Sequence, residues 1–201
     1  MSAELPYSQA CENNKTPILA VLAQAFANVR EVLEIGAGTG QHATWFSPRL
    51  PWLRWQPTEH PQALPLLLPR CQACSADNLA PPRALDVSDR PWPLPVPDAV
   101  FTANTLHIMP WSATEALFAA LREACAGSLL AVYGPFNYGG RYSAESNERF
   151  DRWLAERSPH SAIRDAEEVD ALAAASAFRL VADHAMPANN RLRIWRRAGV
   201  G

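Results

Sequence analysis

Residues 32–42, VLEIGAGTGQH, constrain the fold more than any other stretch of the chain. An apolar run of strand length stops at three glycines set two apart, Gly36, Gly38 and Gly40. Glycines so placed give the backbone conformations that side chains forbid. Residues 39–50 then read as a helix ended by Pro51. Strand, glycine turn and helix in that order make a βα unit, whose natural setting is a parallel sheet covered by helices.

The rest of the chain continues the alternation. Strands are predicted at 29–35, 53–56, 83–86, 98–103, 128–133, 178–185 and 191–197. A first helix should open at Thr16, with Thr16 as N-cap and Pro17 at its first position. Ile18, Leu19, Val21, Leu22 and Phe26 recur along it at helical spacing. Further helices are expected at 112–126, 146–157 and 166–176, and only short ones in the proline-rich stretch 57–97. The last two strands are joined by residues 186–190 alone. A parallel crossover needs a dozen residues or more, so this pair must be an antiparallel hairpin. The expected fold is α/β and Rossmann-like, with a seven-stranded, doubly wound, mostly parallel sheet, a C-terminal antiparallel hairpin and helices on both faces. A chain of 201 residues fits one domain over 1–201. Within it, residues 1–28 would form a segment and helix closing the pocket, and 29–201 the core.

A formal net charge of −2 offers no footprint for nucleic acid or an anionic membrane. No 18-residue apolar run exists for a membrane span. The N-terminus, MSAELPYSQACENNK, lacks the pattern of a secretory signal. A cytoplasmic chain with reduced cysteines is therefore expected. Cys71 and Cys74 form a lone C-x-x-C, and neither Cys11 nor Cys125 supplies a second pair, so no metal site is expected.

The glycines point to a nucleotide-like ligand, and their register narrows it. The dinucleotide fingerprint is G-x-G-x-x-G, and its third glycine falls here on Gln41. Glu34, two residues before Gly36, would repel a pyrophosphate. It suits a ligand that carries an ammonium and a sulfonium, such as S-adenosylmethionine (SAM). Glu59 stands 19 residues after Gly40, close to the roughly 20 expected for an acid that accepts from ribose hydroxyls.

The segment EIGAGTG resembles motif I of the class I SAM-dependent methyltransferases, whose seven-stranded sheet ends in an antiparallel hairpin. More narrowly, the chain resembles the uncharacterised methyltransferase-like 26 family. ACENNKTPIL, VLEIGAGTGQHA, WQPTEH, ANTLHIMPW, YGPFNYGGRYSAESNERFD, IRD and MPANN carry that resemblance from near Cys11 to Asn190. Two departures are small: Glu59 replaces a frequent Asp, and Ser161-Ala162 a usual Gly. The resemblance implies SAM as cofactor and S-adenosylhomocysteine as product. Glu34, Gly36, Ala37, Gly38 and Gly40 would face the methionine part, Glu59 the ribose and Asp86 the adenine amino group. Asp86 is open to a second reading as a turn cap.

Ligands of such sheets lie beyond the carboxyl ends of the strands. There Asn104 is a candidate both for the cofactor and for catalysis, and His107 for general base. Their alternatives are a turn cap for Asn104 and a backbone hydrogen bond for His107. The candidate substrate-facing residues are Asn13, Lys15, Trp111, Tyr133, Phe136, Asn147, Asn189 and Asn190. The two asparagines of the hairpin suit a turn equally well. Residues 136–142, FNYGGRY, combine aromatics with a Gly-Gly pair and suggest a lid. The expected activity is methyl transfer to the O, N or S atom of a small molecule, by a monomer or homodimer without a nucleic acid or membrane partner. The alternative from another class is a SAM-binding sensor or partner module without transferase activity.

Overall fold

The structure is a computed structural model that describes residues 5–124 and 127–199. Cys125 and the end of the helix expected at 112–126 lie outside those residues. Along the chain, α1 (Gln9–Ala25), β1 (Glu31–Ile35), α2 (Gln41–Phe46), β2 (Arg54–Glu59), α3 (Leu64–Gln72) and β3 (Arg83–Ala84) precede β4 (Ala99–Ala103). Then come α4 (Trp111–Leu121), β5 (Leu129–Asn137), α5 (Glu145–Arg157), β6 (Arg164–Asp165), α6 (Ala166–Ala175), β7 (Phe178–Met186) and β8 (Asn190–Arg197). Among the described residues the sheet has eight strands, in the order β3-β2-β1-β4-β5-β8-β7, with the short β6 pairing off β5. It is mixed α/β, mostly parallel, with antiparallel β7 and β8. The expected seven strands are the main path, with β3 shortened to two residues, and β6 is an additional strand of two residues.

The chain divides into two compact units, Met1–Phe101 and Thr102–Gly201, with the division inside β4. In the first unit β1 is buried at four of its five positions, as a strand covered on both faces must be. It runs parallel to β2, with Glu34 opposite Pro57. Phe46, Trp55, Phe101 and the imidazole of His42 pack together with ring centroids 5.2–6.0 Å apart. His42 is buried and its Nε2 lies 2.6 Å from Asn14 Oδ1. Burial, helped by the charge of Lys15, pushes its pKa down to about 4.

The first helix starts at Gln9, eight residues before the expected first position, Pro17. Ser8 is its N-cap and accepts from the Cys11 N–H at 3.4 Å, and Pro17 lies inside it. The reason is tertiary. Buried Gln41 accepts from the Ser8 N–H through Oε1, and its Nε2 donates to the Ser8 carbonyl at 3.2 Å and to Glu12 Oε2 at 3.4 Å. Arg70 adds a second clasp, donating to the carbonyls of Thr39 and Pro6. Asn13, Asn14 and Lys15 thus belong to α1 rather than to a segment ahead of it.

In the second unit Trp195, Phe118, Phe136, Leu130 and Val169 form the buried centre. β5 continues four residues past the predicted end at Tyr133, through Gly134. Gly134 does not break the strand. It pairs with Arg191, and a Cβ there would stand 3.5 Å from His107 Nδ1. β7 and β8 form the expected hairpin through a single 3-10 turn, Pro187–Asn189, in which Ala188 and Asn189 take φ of 57°. Arg193, 2% exposed, is neutralised by Asp170 at 2.9 Å and Asp183 at 3.3 Å.

Candidate functional site

The glycine turn of the first unit is built as its spacing demands. Gly36, Gly38 and Gly40 take φ of 68°, 57° and 76°, all left-handed. Ala37 donates to the Thr58 carbonyl at 2.9 Å, which ties the turn to β2. Gly40 is needed for a second reason: a Cβ there would meet Leu67 Cδ1 at 3.0 Å and Cys71 Sγ at 3.2 Å on α3. At Gly38 a Cβ would meet nothing within 4 Å, so the middle of the turn faces open space.

Two carboxylates flank this turn, in contrasting settings. Glu34 is 1% exposed and accepts from Trp55 Nε1 at 2.7 Å. Burial pushes its pKa up to about 8; the charge of Glu59 adds to the rise and the indole opposes it. It is therefore mostly protonated at neutral pH, and a cationic ligand beside it would favour its ionised form. Glu59, at the end of β2, is half-buried. Its Oε2 accepts from the Gly38 N–H at 2.6 Å and its Oε1 from the His60 N–H at 2.8 Å. Asp86 lies two residues beyond β3. Its Oδ1 accepts from the Ser88 N–H at 2.8 Å, and its Oδ2 faces His60 Nε2 at 3.3 Å. The Ser88 N–H holds its pKa below the usual carboxylate range, with His60 contributing less. Asp86 thus caps a turn, while His60 joins it to the Glu59 corner. An open glycine turn, one buried acid and one half-buried acid match a ligand that combines positive charge with hydroxyl groups. Among the described residues no group of three or more His, Cys, Asp and Glu could hold a metal.

Lys15 pairs with Glu12 and sits 4.0 Å over the Trp45 ring, while exposed Asn13 accepts from Gln9 Nε2 at 2.8 Å.

The second unit holds the remaining candidates. Asn104 follows β4 directly, with φ of 57°, and its N–H donates to the Tyr133 carbonyl at 2.8 Å. Its side-chain amide takes no partner among the described residues. His107 is 4% exposed, lies edge-on to Phe150 at 5.5 Å, and neither ring nitrogen meets a partner among the described residues. Burial pushes its pKa down to about 4; the charge of Arg164 adds to this and Asp151 opposes it. The ring is neutral at physiological pH and able to accept a proton, though weakly.

Tyr133 is buried inside β5 rather than at its end, and its carbonyl holds Asn104. Phe136 is 1% exposed within β5, so it cannot belong to an open loop. The rest of FNYGGRY is a tight hairpin rather than a free lid: the Gly140 N–H donates to Asp165 Oδ2 at 2.6 Å and the Gly139 N–H to Glu167 Oε2 at 3.2 Å. Tyr138 and Tyr142 donate to Asp183 and Asp151. Buried Asn147 donates to Ser143 Oγ at 2.9 Å and the Asn189 carbonyl at 3.4 Å. Asn189 donates to Ser146 Oγ at 3.1 Å, and Asn190 to the carbonyls of Pro187 and Ala188. This set builds the hairpin turn and seats it on α5. Trp111 opens α4, its ring 5.7 Å from the Arg164 guanidinium.

Three residues escape the sequence reading: Trp55, which holds Glu34, His60, which faces Asp86, and Arg164, which holds the His107 loop. WQPTEH contains the first two, but only its acid has a chemistry that spacing alone suggests.

The fold is shared with solved methyltransferases. An O-methyltransferase family protein from Burkholderia thailandensis superimposes with a TM-score of 0.80 at 15% identity, over 93% of this chain and 57% of that one. Human N-acetylserotonin methyltransferase in complex with SAM gives 0.79 at 16% identity, over 94% and 53%. An O-methyltransferase family 2 protein from Planctomyces limnophilus, in complex with apigenin, gives 0.73 at 15% identity, over 92% and 62%. The chain thus spans a little over half the length of the structures it matches. Residues 5–197 match the family described as "Protein of unknown function (DUF938)", and the chain belongs to it.

Proposed function

We propose that this protein transfers a methyl group from SAM to a small-molecule acceptor through oxygen, nitrogen or sulfur, as the resemblance to the methyltransferase-like 26 family also implies. One observation carries the reading: an open, left-handed glycine turn with Glu34 buried before it and Glu59 bonded to its middle N–H. Glu34 answers the positive charges of SAM, Glu59 its ribose, and Asp86 with His60 the far end of the nucleoside. SAM supplies a methyl group on a sulfonium. What remains for the chain is to place the acceptor and exclude water. Asn104 presents a free amide for orientation, and neutral His107 takes a proton from a hydroxyl or thiol acceptor. The matched structures named as methyltransferases support the same reading at the level of fold.

Titration calorimetry with SAM, S-adenosylhomocysteine, NAD and ATP tests the cofactor. The first two should bind and the others should not; equal binding of NAD would refute the argument from Gln41. Incubation with SAM and fractionated metabolites then tests transfer. Binding without any methylated product would favour the sensor alternative.

A further inference from the structure

Residues 161–164 grip the loop that carries His107. Ser161 Oγ donates to the Ile108 carbonyl at 2.8 Å, and the Ala162 N–H donates to the carbonyl of His107 at 3.1 Å. Arg164 does most of the holding. Its Nε donates to the Leu106 carbonyl at 2.9 Å, and its Nη2 to the carbonyls of Met109 at 2.6 Å and His160 at 2.9 Å. Leu106 and Met109 bracket His107 in the chain.

This is an unusual use of arginine. A partly buried guanidinium is ordinarily paired with an acid, yet Arg164 has no ion pair among the described residues. Asp151, the acid whose field reaches both Arg164 and His107, is engaged elsewhere: its Oδ1 accepts from the Ile163 N–H at 2.6 Å and its Oδ2 from the Tyr142 hydroxyl at 2.9 Å. Glu168, at the start of α6, also acts on Arg164 from a distance. A neutral side chain would serve as a latch for carbonyls without the cost of burying an unpaired charge.

We propose that Arg164 is a positioning residue for His107: it fixes the loop on both sides of the imidazole and sets a positive charge against the ring. The charged and titratable groups acting on the imidazole are then Arg164 from β6 and Asp151 from α5, while Phe150 and Gly134 contribute only packing. The excess positive field opposes protonation, so it keeps the ring neutral while weakening it as a base. That catalytic meaning rests on the methyl-transfer reading, whereas the placement of Arg164 does not.

The test needs no substrate. The His107 Cε1–H signal is titrated by NMR in the wild type, Arg164→Lys and Arg164→Gln. In R164Q the midpoint should rise, because the charge is gone. In R164K the charge remains and the midpoint should stay near that of the wild type. The Ile108 and Met109 amides, both bonded to the Thr105 carbonyl, should exchange about 10- to 100-fold faster in both variants, because the fork that braced the loop is lost. An unmoved midpoint in R164Q, or an equal shift in both variants, would show Arg164 to be structural only. Should R164Q not fold, the wild type still decides. Its Arg164 Nε–H must give a slowly exchanging signal, and an averaged, rapidly exchanging one overturns the proposal. In turnover assays R164Q should move the acidic limb of the kcat/KM profile to higher pH with SAM affinity unchanged. If the wild type neither binds SAM nor turns over, the methyl-transfer reading fails while the NMR result on Arg164 stands.

Discussion

Alanine at Gly38 and at Gly40 separates what the glycine turn does for the fold from what it does for a ligand. Both positions are left-handed, which costs a side chain about 1–2 kcal/mol. At Gly38 that is the whole structural charge, because the new methyl group meets nothing within 4 Å. At Gly40 the methyl group also presses on Leu67 Cδ1 at 3.0 Å and Cys71 Sγ at 3.2 Å. Overpacking of that kind adds about 1–3 kcal/mol, for a sum of about 2–5 kcal/mol. For a chain of this size each kcal/mol lowers Tm by about 2–4 °C. Thermal melts followed by circular dichroism should therefore drop by about 2–8 °C for Gly38→Ala and about 4–20 °C for Gly40→Ala. Calorimetry with SAM should rank them in reverse: in Gly38→Ala the added methyl group stands where the cofactor would lie, and affinity should fall at least tenfold, a change of about 1.4 kcal/mol. Folded Gly40→Ala should keep most of its affinity. If Gly38→Ala binds SAM like the wild type, the cofactor does not lie on this turn. If the two variants melt together, the packing argument at α3 is wrong.

Glu59→Ala should retain its fold but lose about 1.5–3 kcal/mol of SAM affinity for each charge-assisted hydrogen bond removed, and unchanged calorimetry would reassign the residue to holding Gly38 alone. Glu34 ties stability to pH. With a pKa near 4.5 unfolded and about 8 folded, the native state holds the extra proton, so stability is full at low pH and falls as pH rises between those values. The slope approaches about 1.4 kcal/mol per pH unit, and Glu34→Gln should flatten it in urea titrations at pH 6.5–8; an identical slope in the variant would count against the assignment. The window is chosen because His42 and His107, whose pKa values fall from 6.5 to about 4 on folding, act below it with the opposite sign. His107→Ala and Asn104→Ala should leave SAM affinity nearly unchanged, and loss of the base should slow turnover about 100- to 10,000-fold. Loss of SAM binding in both would make them cofactor-facing instead.

Strand alternation, the glycine turn and the short link inside the C-terminal hairpin were legible because each reports on local backbone. What escaped the sequence is decided at long range. The start of α1 depends on Gln41, 33 positions beyond Ser8. β5 runs through Gly134 because β8 pairs with it and His107 occupies the space a side chain would fill. Glu34 and Glu59 were legible as acids, but the raised pKa of Glu34 follows from its burial, which no spacing encodes. The hairpin asparagines show the reverse limit: the left-handed turn was readable at Asn189, though Asn190 is extended and Ala188 takes the other left-handed place, and the hydrogen bonds that seat the turn on α5 were not readable.

Gln41 occupies the place where a dinucleotide-binding chain has its third glycine, and here its amide grips Ser8 and Glu12 at the start of α1. A glycine substituted at Gln41 would act first on the fold. It would unfasten the first helix and take from the Ser8 N–H, the Thr39 hydroxyl and Glu12 Oε2 the partner they have in Gln41. In this chain the residue at that position is committed to the N-terminal helix, so a glycine there has a cost to the fold that is separate from any ligand.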